Sequence, residues 1–446
     1  MLILIVLTEA ASSLLAPVPL QVDGKSIGLN VLPADLIWSR VYGGQKDDRA
    51  YDAVPAGNGF LVVGSSKSIV QNTMVGWAIK LDSEGNAVWN KTFLEGTNTE
   101  LRFAINLTDG FLLVGNEYLP SGNINGFAAK ISPDGTLVWQ TLVGNNNETD
   151  EFYSGMATSD GFVLMGLSSQ NGGQTSQAWV VKIDDEGSLV WSKTLDMGLN
   201  TVARAGLVSS DGDYVVTGYT DSRGLGSYDF LLLKIDPNGD LIWNQTYGTN
   251  GSQEAHSITA ASDGYVMVGD TQSTGTEIHA WVVKVDWNGT ELWSETVGGD
   301  KSDSPAYVTA STDGGYLVAG FTFSWGAGNR DFWLFKIDDS GKVLWSCTQG
   351  DVEYQEAYGV IQTAPNQYVM IGWTDPPGQP ALIGKAQYDF YIVNVTPLQA
   401  DTGALFLQAM VYGLAIVCVA LALSLFAIIF HGSKKSEIKR KSLETP

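Results

Sequence analysis

A ten-residue unit, Lys-(Ile/Leu/Val)-Asp-x-x-Gly-x-x-(Val/Ile/Leu)-Trp, begins at Lys80, Lys182, Lys234, Lys284 and Lys336, and a sixth copy at Lys130 carries Ser132 in place of the aspartate. Successive copies start 50 to 52 residues apart. Each reads as the end of one β-strand, a tight polar turn with glycine at a left-handed position, and a second strand closed by tryptophan. Self-similarity at this period requires a propeller or a solenoid, in which stacked units share one continuous core. The 51 glycines, 14 tryptophans and 17 tyrosines fit many short strands joined by tight turns.

Each repeat resolves into four strands, a to d, the inner pair of which is joined by an Asp-Gly turn, as in Asp263-Gly264. The strand-d tryptophans Trp38, Trp89, Trp139, Trp191, Trp243, Trp293 and Trp345 give seven blades. The phase of the two ends is complementary. The repeat opens with a lone strand d at 36–42 and finishes on strands a, b and c, the last at 389–396. Pairing the first strand with the last blade closes a ring and removes two open edges, which a solenoid does not require. The expected fold is therefore all-β, a seven-bladed β-propeller over residues 34–396 closed by its N-terminal strand. The a–b and c–d turns are short and lie on one face. The longer d–a and b–c connections gather on the other, and variable loops on a rigid scaffold are where binding usually resides.

The flanking segments point to the cell surface. Residues 1–33 read as a leader, a possible degenerate signal peptide that lacks a basic start. Residues 397–408 form a juxtamembrane linker. Residues 409–430 are an unbroken apolar run long enough to span a bilayer as a helix, and Lys434, Lys435, Lys439, Arg440 and Lys441 follow in a 431–446 tail. The positive-inside tendency then puts that tail in the cytoplasm and the propeller outside, in a single-pass arrangement. Sequons at Asn90, Asn106, Asn147, Asn244, Asn250, Asn288 and Asn394 are consistent with a glycosylated exterior.

A formal net charge of −23 argues against nucleic acid as a partner. Two cysteines, Cys347 and Cys418, give no intradomain disulfide. Three scattered histidines, His256, His279 and His431, leave nothing on which to build a His/Cys metal site or a Ser-His-Asp triad. Five of the six repeat lysines have an aspartate two residues on, on the same face of the strand, so the two are expected to pair as a structural unit. The acids that precede strand a, namely Asp48, Glu100, Glu151, Glu254, Asp303 and Glu356, are expected to ring the channel mouth. They would hold a cation such as Ca²⁺, or serve as solvated or backbone-capping carboxylates. Phe323 and Trp325, with Pro376 and Pro377 in the longest loop, are the candidate partner-binding residues.

The ten-residue unit, together with Tyr42-Gly43-Gly44 and Asp313-Gly314-Gly315-Tyr316, resembles the repeat of PQQ-like (quinoprotein-type) β-propellers, and in particular membrane-anchored prokaryotic surface propellers, often archaeal. The resemblance covers residues 34–396. It implies the propeller fold. Enzymes of that superfamily hold the quinone with an adjacent-cysteine disulfide, a pair that this chain lacks. The expectation is a non-enzymatic, membrane-anchored extracellular binding or scaffold module for a glycan, an envelope component or a protein, with no required cofactor. The alternative is an extracellular enzyme, polysaccharide-active or quinone-dependent.

Overall fold

The computed structural model describes residues 18–22, 25–29, 31–71, 73–94, 96–145, 147–170, 174–195, 197–221, 227–272, 275–375 and 388–397. The chain divides into Met1–Pro397 and Leu398–Pro446. The linker, the apolar run 409–430 and the basic tail lie outside the described residues, as do most of the leader and both Pro376 and Pro377. Among the described residues no helix is long and apolar enough to cross a membrane.

Residues 31–397 form a seven-bladed β-propeller. Blade 1 consists of strands a (Asp48–Ala56), b (Gly59–Val70), c (Thr73–Leu81) and d (Ala87–Phe93), paired in order as an antiparallel meander. The innermost strands of blades 2 to 7 are Asn98–Leu107, Asp150–Thr158, Thr201–Val208, Gln253–Ala260, Asp303–Ala310 and Gln355–Ala364. Each packs on the innermost strand of the next blade, and the last meets the first. Seven apolar clusters, one at each blade junction, form the core. At the closing junction Val369, Ile371, Phe390 and Ile392 of blade 7 pack with Val62, Trp77 and Ile79 of blade 1.

Ring closure follows the expected phase, with one difference. The N-terminal strand runs Val31–Tyr42, longer than the 36–42 segment that its apolar pattern marks. Residues 34–42 pair antiparallel with strand c of blade 7 (Asp389–Pro397). Its first residues, Val31–Pro33, instead pair in parallel with Ser346–Thr348, the outer strand of blade 6, so that blades 6 and 7 share one eight-stranded sheet. Upstream, Val18–Val22 and Lys25–Leu29 form an antiparallel pair.

The ten-residue unit has a physical reason at each fixed place. Its aspartate closes the c–d turn: Asp286 Oδ1 accepts from the N–H groups of Asn288 and Thr290 at 2.9 and 2.8 Å. Asp82, Asp184, Asp236 and Asp338 do the same in their own turns. Its glycine has φ near +80°, as at Gly187, and lies against the strand-d tryptophan of the preceding blade, so that a Cβ there would come within 2.6 Å of Trp139. That tryptophan donates its Nε1–H to a carbonyl of the same turn, as Trp139 does to Asp185 O at 2.8 Å.

The lysine pairing differs from the sequence expectation. Turn N–H groups occupy the aspartate two residues on, so the lysine reaches instead to the Asp-Gly turn between strands a and b. The pairs are Lys130–Asp109, Lys182–Asp160, Lys234–Asp211, Lys284–Asp263 and Lys336–Asp313. Blade 1 has Asn58 in that turn, and Lys80 bonds to the Ala56 carbonyl instead.

Candidate functional site at the channel mouth

Every innermost strand is interrupted at one place. The pairing of strand a with strand b shifts across Tyr51, Arg102, Tyr153, Arg204, His256, Ala306 and Tyr358, one residue in each of the seven blades. These are β-bulges, in which an extra residue on one strand is left unpaired and its side chain is re-aimed. Strand b supplies a glycine beside each bulge: Gly64, Gly115, Gly166, Gly218, Gly269, Gly320 and Gly372. A Cβ at Gly218 would sit 1.8 Å from the Val202 carbonyl oxygen, so only glycine lets the bulged strand approach.

The bulge residues line a central cavity of about 430 Å³. They stand near the start of strand a, at the end of the channel where the d–a and b–c connections gather. Of the chain's seven arginines, Arg49, Arg102, Arg204 and Arg330 are at this mouth, each over aromatic rings. Arg102 lies over Tyr51 at 4.6 Å and Arg204 over Tyr153 at 4.4 Å. Arg49 covers Tyr388 and Trp373, and Arg330 covers Phe321 and Phe323. Guanidinium planes on aromatic faces are held flat.

The six acids expected to form one ring occupy two registers. Glu100, Glu151, Glu254 and Glu356 share one, two residues before the bulge. Asp48 and Asp303 lie one residue earlier, which turns them to the other face, and both are buried. There they cap backbone. Asp303 Oδ2 accepts from Gly299 N–H and from the Ser324 hydroxyl, each at 2.7 Å, tying the d–a connection to the b–c connection. Asp48 does the same with Gly44 N–H and Ser68. Burial raises the pKa of Asp303 despite those bonds.

Three of the four glutamates have protein partners of their own. Glu100 accepts from Arg102 and Tyr118, Glu151 from Tyr153 at 3.0 Å, and Glu356 from Tyr358 and Arg330. Among the described residues no three of His, Cys, Asp or Glu gather to hold a metal ion.

Asp52, immediately after the first bulge, lines the cavity and is buried. Its two oxygens accept from Ala53 N–H at 2.8 Å and from Ala104 N–H of blade 2 at 3.0 Å. Burial outweighs both bonds and pushes its pKa up to about 7. His256 bonds through Nδ1 to the Pro305 carbonyl at 2.7 Å, and its Nε2 is 3.7 Å from Asp270.

Of the partner-binding candidates, Trp325 is half-buried and turned onto Trp333, with ring centroids 5.8 Å apart, so it is loop packing rather than an open platform. Phe323 is part of the Arg330 stack. Asn90, Asn106, Asn147, Asn250 and Asn288 are exposed and Asn244 is half-buried. Asn394 stands in the lysine place of strand c and is buried, where a glycan has no room. The bulge residues were the part that motif reading missed. Their signal was the glycine inside strand b of every repeat, since an isolated glycine in a strand marks a bulge or close backbone approach.

No family model matches the sequence, and no curated protein does either. Several solved structures share the shape. The periplasmic gluconolactonase PpgL of Pseudomonas aeruginosa is 11% identical with a TM-score of 0.46, over 76% of this chain and 96% of that one. The β-propeller domain of the Trilobed protease of Pyrococcus furiosus is 8% identical with a TM-score of 0.46, over 80% and 98%. Sqt1 of Chaetomium thermophilum is 13% identical with a TM-score of 0.44, over 82% and 100%. At these identities the likeness is one of fold alone.

Proposed function

We propose that this chain is a non-enzymatic, membrane-anchored propeller of the PQQ-like type, held outside the cell by residues 409–430, that binds a glycan or envelope component at the mouth of its central channel. One observation carries the binding role. All seven innermost strands are bulged at one register, which turns seven side chains into a single cavity on the long-connection face. Bulges cost ladder hydrogen bonds, and a scaffold that only closed a ring would not need one in every blade. The exterior location rests on the apolar run, its basic flank and the exposed sequons.

The test uses the full chain in its membrane. Protease added to intact cells should digest the propeller and leave an epitope on the 431–446 tail protected. Detergent-solubilised protein should retain envelope polysaccharide extracted from the same cells, and replacing residues 322–330 by a Gly-Ser linker should weaken that retention. A protected propeller would overturn the topology, and undiminished capture by the linker variant would overturn the choice of face. Release of sugar, or reduction of a dye in the presence of added quinone cofactor, would favour the enzyme alternative.

A further inference from the structure

The cavity carries a charge imbalance that runs against the rest of the molecule. The chain as a whole is at −23. Yet the cationic groups on the cavity wall are Arg102 and Arg204, and the one carboxylate there, Asp52, has its pKa pushed by burial up to about 7. Blades 2 and 4 present arginine at the same bulge position but treat it differently. Arg102 has Glu100 two residues before it, and the two form an ion pair. Arg204 has Val202 in the equivalent place. Among the described residues no carboxylate pairs with Arg204, and its buried Nε has no hydrogen-bond partner.

Arg204 is nevertheless fixed in position. Its guanidinium lies 4.4 Å from the Tyr153 ring centroid and 5.7 Å from that of Tyr219. A partly buried cation without a counter-charge is costly, and the cost is recovered when a ligand brings the missing anion. A planar guanidinium with its edge free matches a carboxylate in two-point geometry. The acids around the mouth set the charge that can enter. Glu151 and Glu254 hold the place two residues before the bulge in the neighbouring blades 3 and 5, so a dianion meets about twice the repulsion that a monoanion meets. The rest of the wall mixes small residues with aromatic rings, among them Tyr51 and Tyr358 in edge contact at 5.7 Å, a surface suited to the C–H face of a ring-shaped, hydroxylated body. A volume of about 430 Å³ is that of a small-molecule site.

We infer that the cavity binds a small monocarboxylate with a hydroxylated ring, the chemistry of a hexuronate, whose carboxylate seats on Arg204. This rests on the binding role proposed above and names the ligand class.

The experiment is calorimetric titration of the full chain in detergent with D-glucuronate, D-glucose, D-glucose 6-phosphate and benzoate, on wild type, Arg204→Met and Arg204→Lys. Glucuronate should bind at least tenfold more tightly than glucose or the phosphate ester, and more tightly than benzoate. Arg204→Met should lose at least tenfold for glucuronate while melting like wild type. Arg204→Lys, which keeps the charge but not the fork, should retain part of the affinity. Equal binding of glucose and glucuronate overturns the carboxylate, equal or tighter binding of benzoate overturns the hydroxylated body, and unchanged affinity in Arg204→Met overturns the anchor. Absence of binding by every probe overturns the inference. If polysaccharide capture then persists, the binding role stands with a different ligand; if capture is lost too, both fall.

Discussion

Replacing Asp52 by asparagine should remove a pH dependence of stability that the folded propeller carries. Asp52 is buried at the wall of the cavity, where its oxygens accept from two backbone N–H groups, one from its own strand and one from blade 2. The loss of water outweighs those bonds, and its pKa rises from 3.8 to about 7. Each tenfold gain in proton affinity is worth about 1.4 kcal/mol, so the full difference between folded and unfolded chain is on the order of 4 kcal/mol. The folded state holds this proton more tightly than the unfolded chain, so the contribution is fully present below about pH 4. It is lost as pH rises through about 7 and is constant above that. At roughly 2 cal/mol/K per residue of unfolding entropy over about 360 residues, 4 kcal/mol corresponds to a Tm change of about 5 °C. Asparagine is neutral throughout. The quantity to plot is the Tm of wild type minus that of Asp52→Asn, measured by circular dichroism on the full chain in detergent from pH 4 to 8.5. It should fall by several degrees between pH 4 and 7. Asp375 and Asp389, which burial also raises to about 6, are present in both proteins and cancel in the difference. A difference that stays flat, or that rises with pH, would refute the assignment of the buried proton to Asp52.

Four further substitutions test the architecture, each read by thermal melting and denaturant titration. Gly218→Ala places a Cβ 1.8 Å from the Val202 carbonyl and should cost about 1–3 kcal/mol; unchanged stability would mean that the bulge does not require glycine. Lys182, whose side chain is only 2% exposed, should tolerate methionine within about 1 kcal/mol, whereas Asp160→Ala strands the buried ammonium and should cost about 2 kcal/mol; the reverse order would refute the pairing. Trp333→Ala empties a fully buried site beside Trp325 and Phe335 and should cost about 3–5 kcal/mol, and a loss below about 1 kcal/mol would contradict the packing.

What the chain discloses in one dimension is the part of the structure written in repeats. The blade number, the strand phase and the sorting of short and long connections all follow from spacing, because each blade solves the same packing problem. The lysine partner did not follow. Alternation along a strand picks out the aspartate two residues on, but that aspartate has already left the strand and spends its oxygens on turn N–H groups. The split of the six acids into two registers was hidden for a related reason. Asp48 and Glu100 look equivalent beside the start of strand a, yet they differ by one register step, and one step reverses the face. Val31–Pro33 was invisible because its parallel pairing with Ser346–Thr348 occurs once and belongs to no repeat. The bulge residues vary from blade to blade, and only the fixed glycine opposite them kept a period.

The closing strand also sets an order of events. The segment Val31–Tyr42 is synthesised before any blade, and its partner Asp389–Pro397 after every other strand of the ring. Six blades have all four of their strands before residues 34–42 find their partner strand, and until then that stretch has its hydrogen-bonding edge unpaired. The ring therefore closes in one late step, joining the first and last strands of the propeller. A permuted gene that moved residues 31–42 behind residue 397 would let blade 7 form from contiguous sequence, and comparing its refolding rate with that of the natural order would time the step directly.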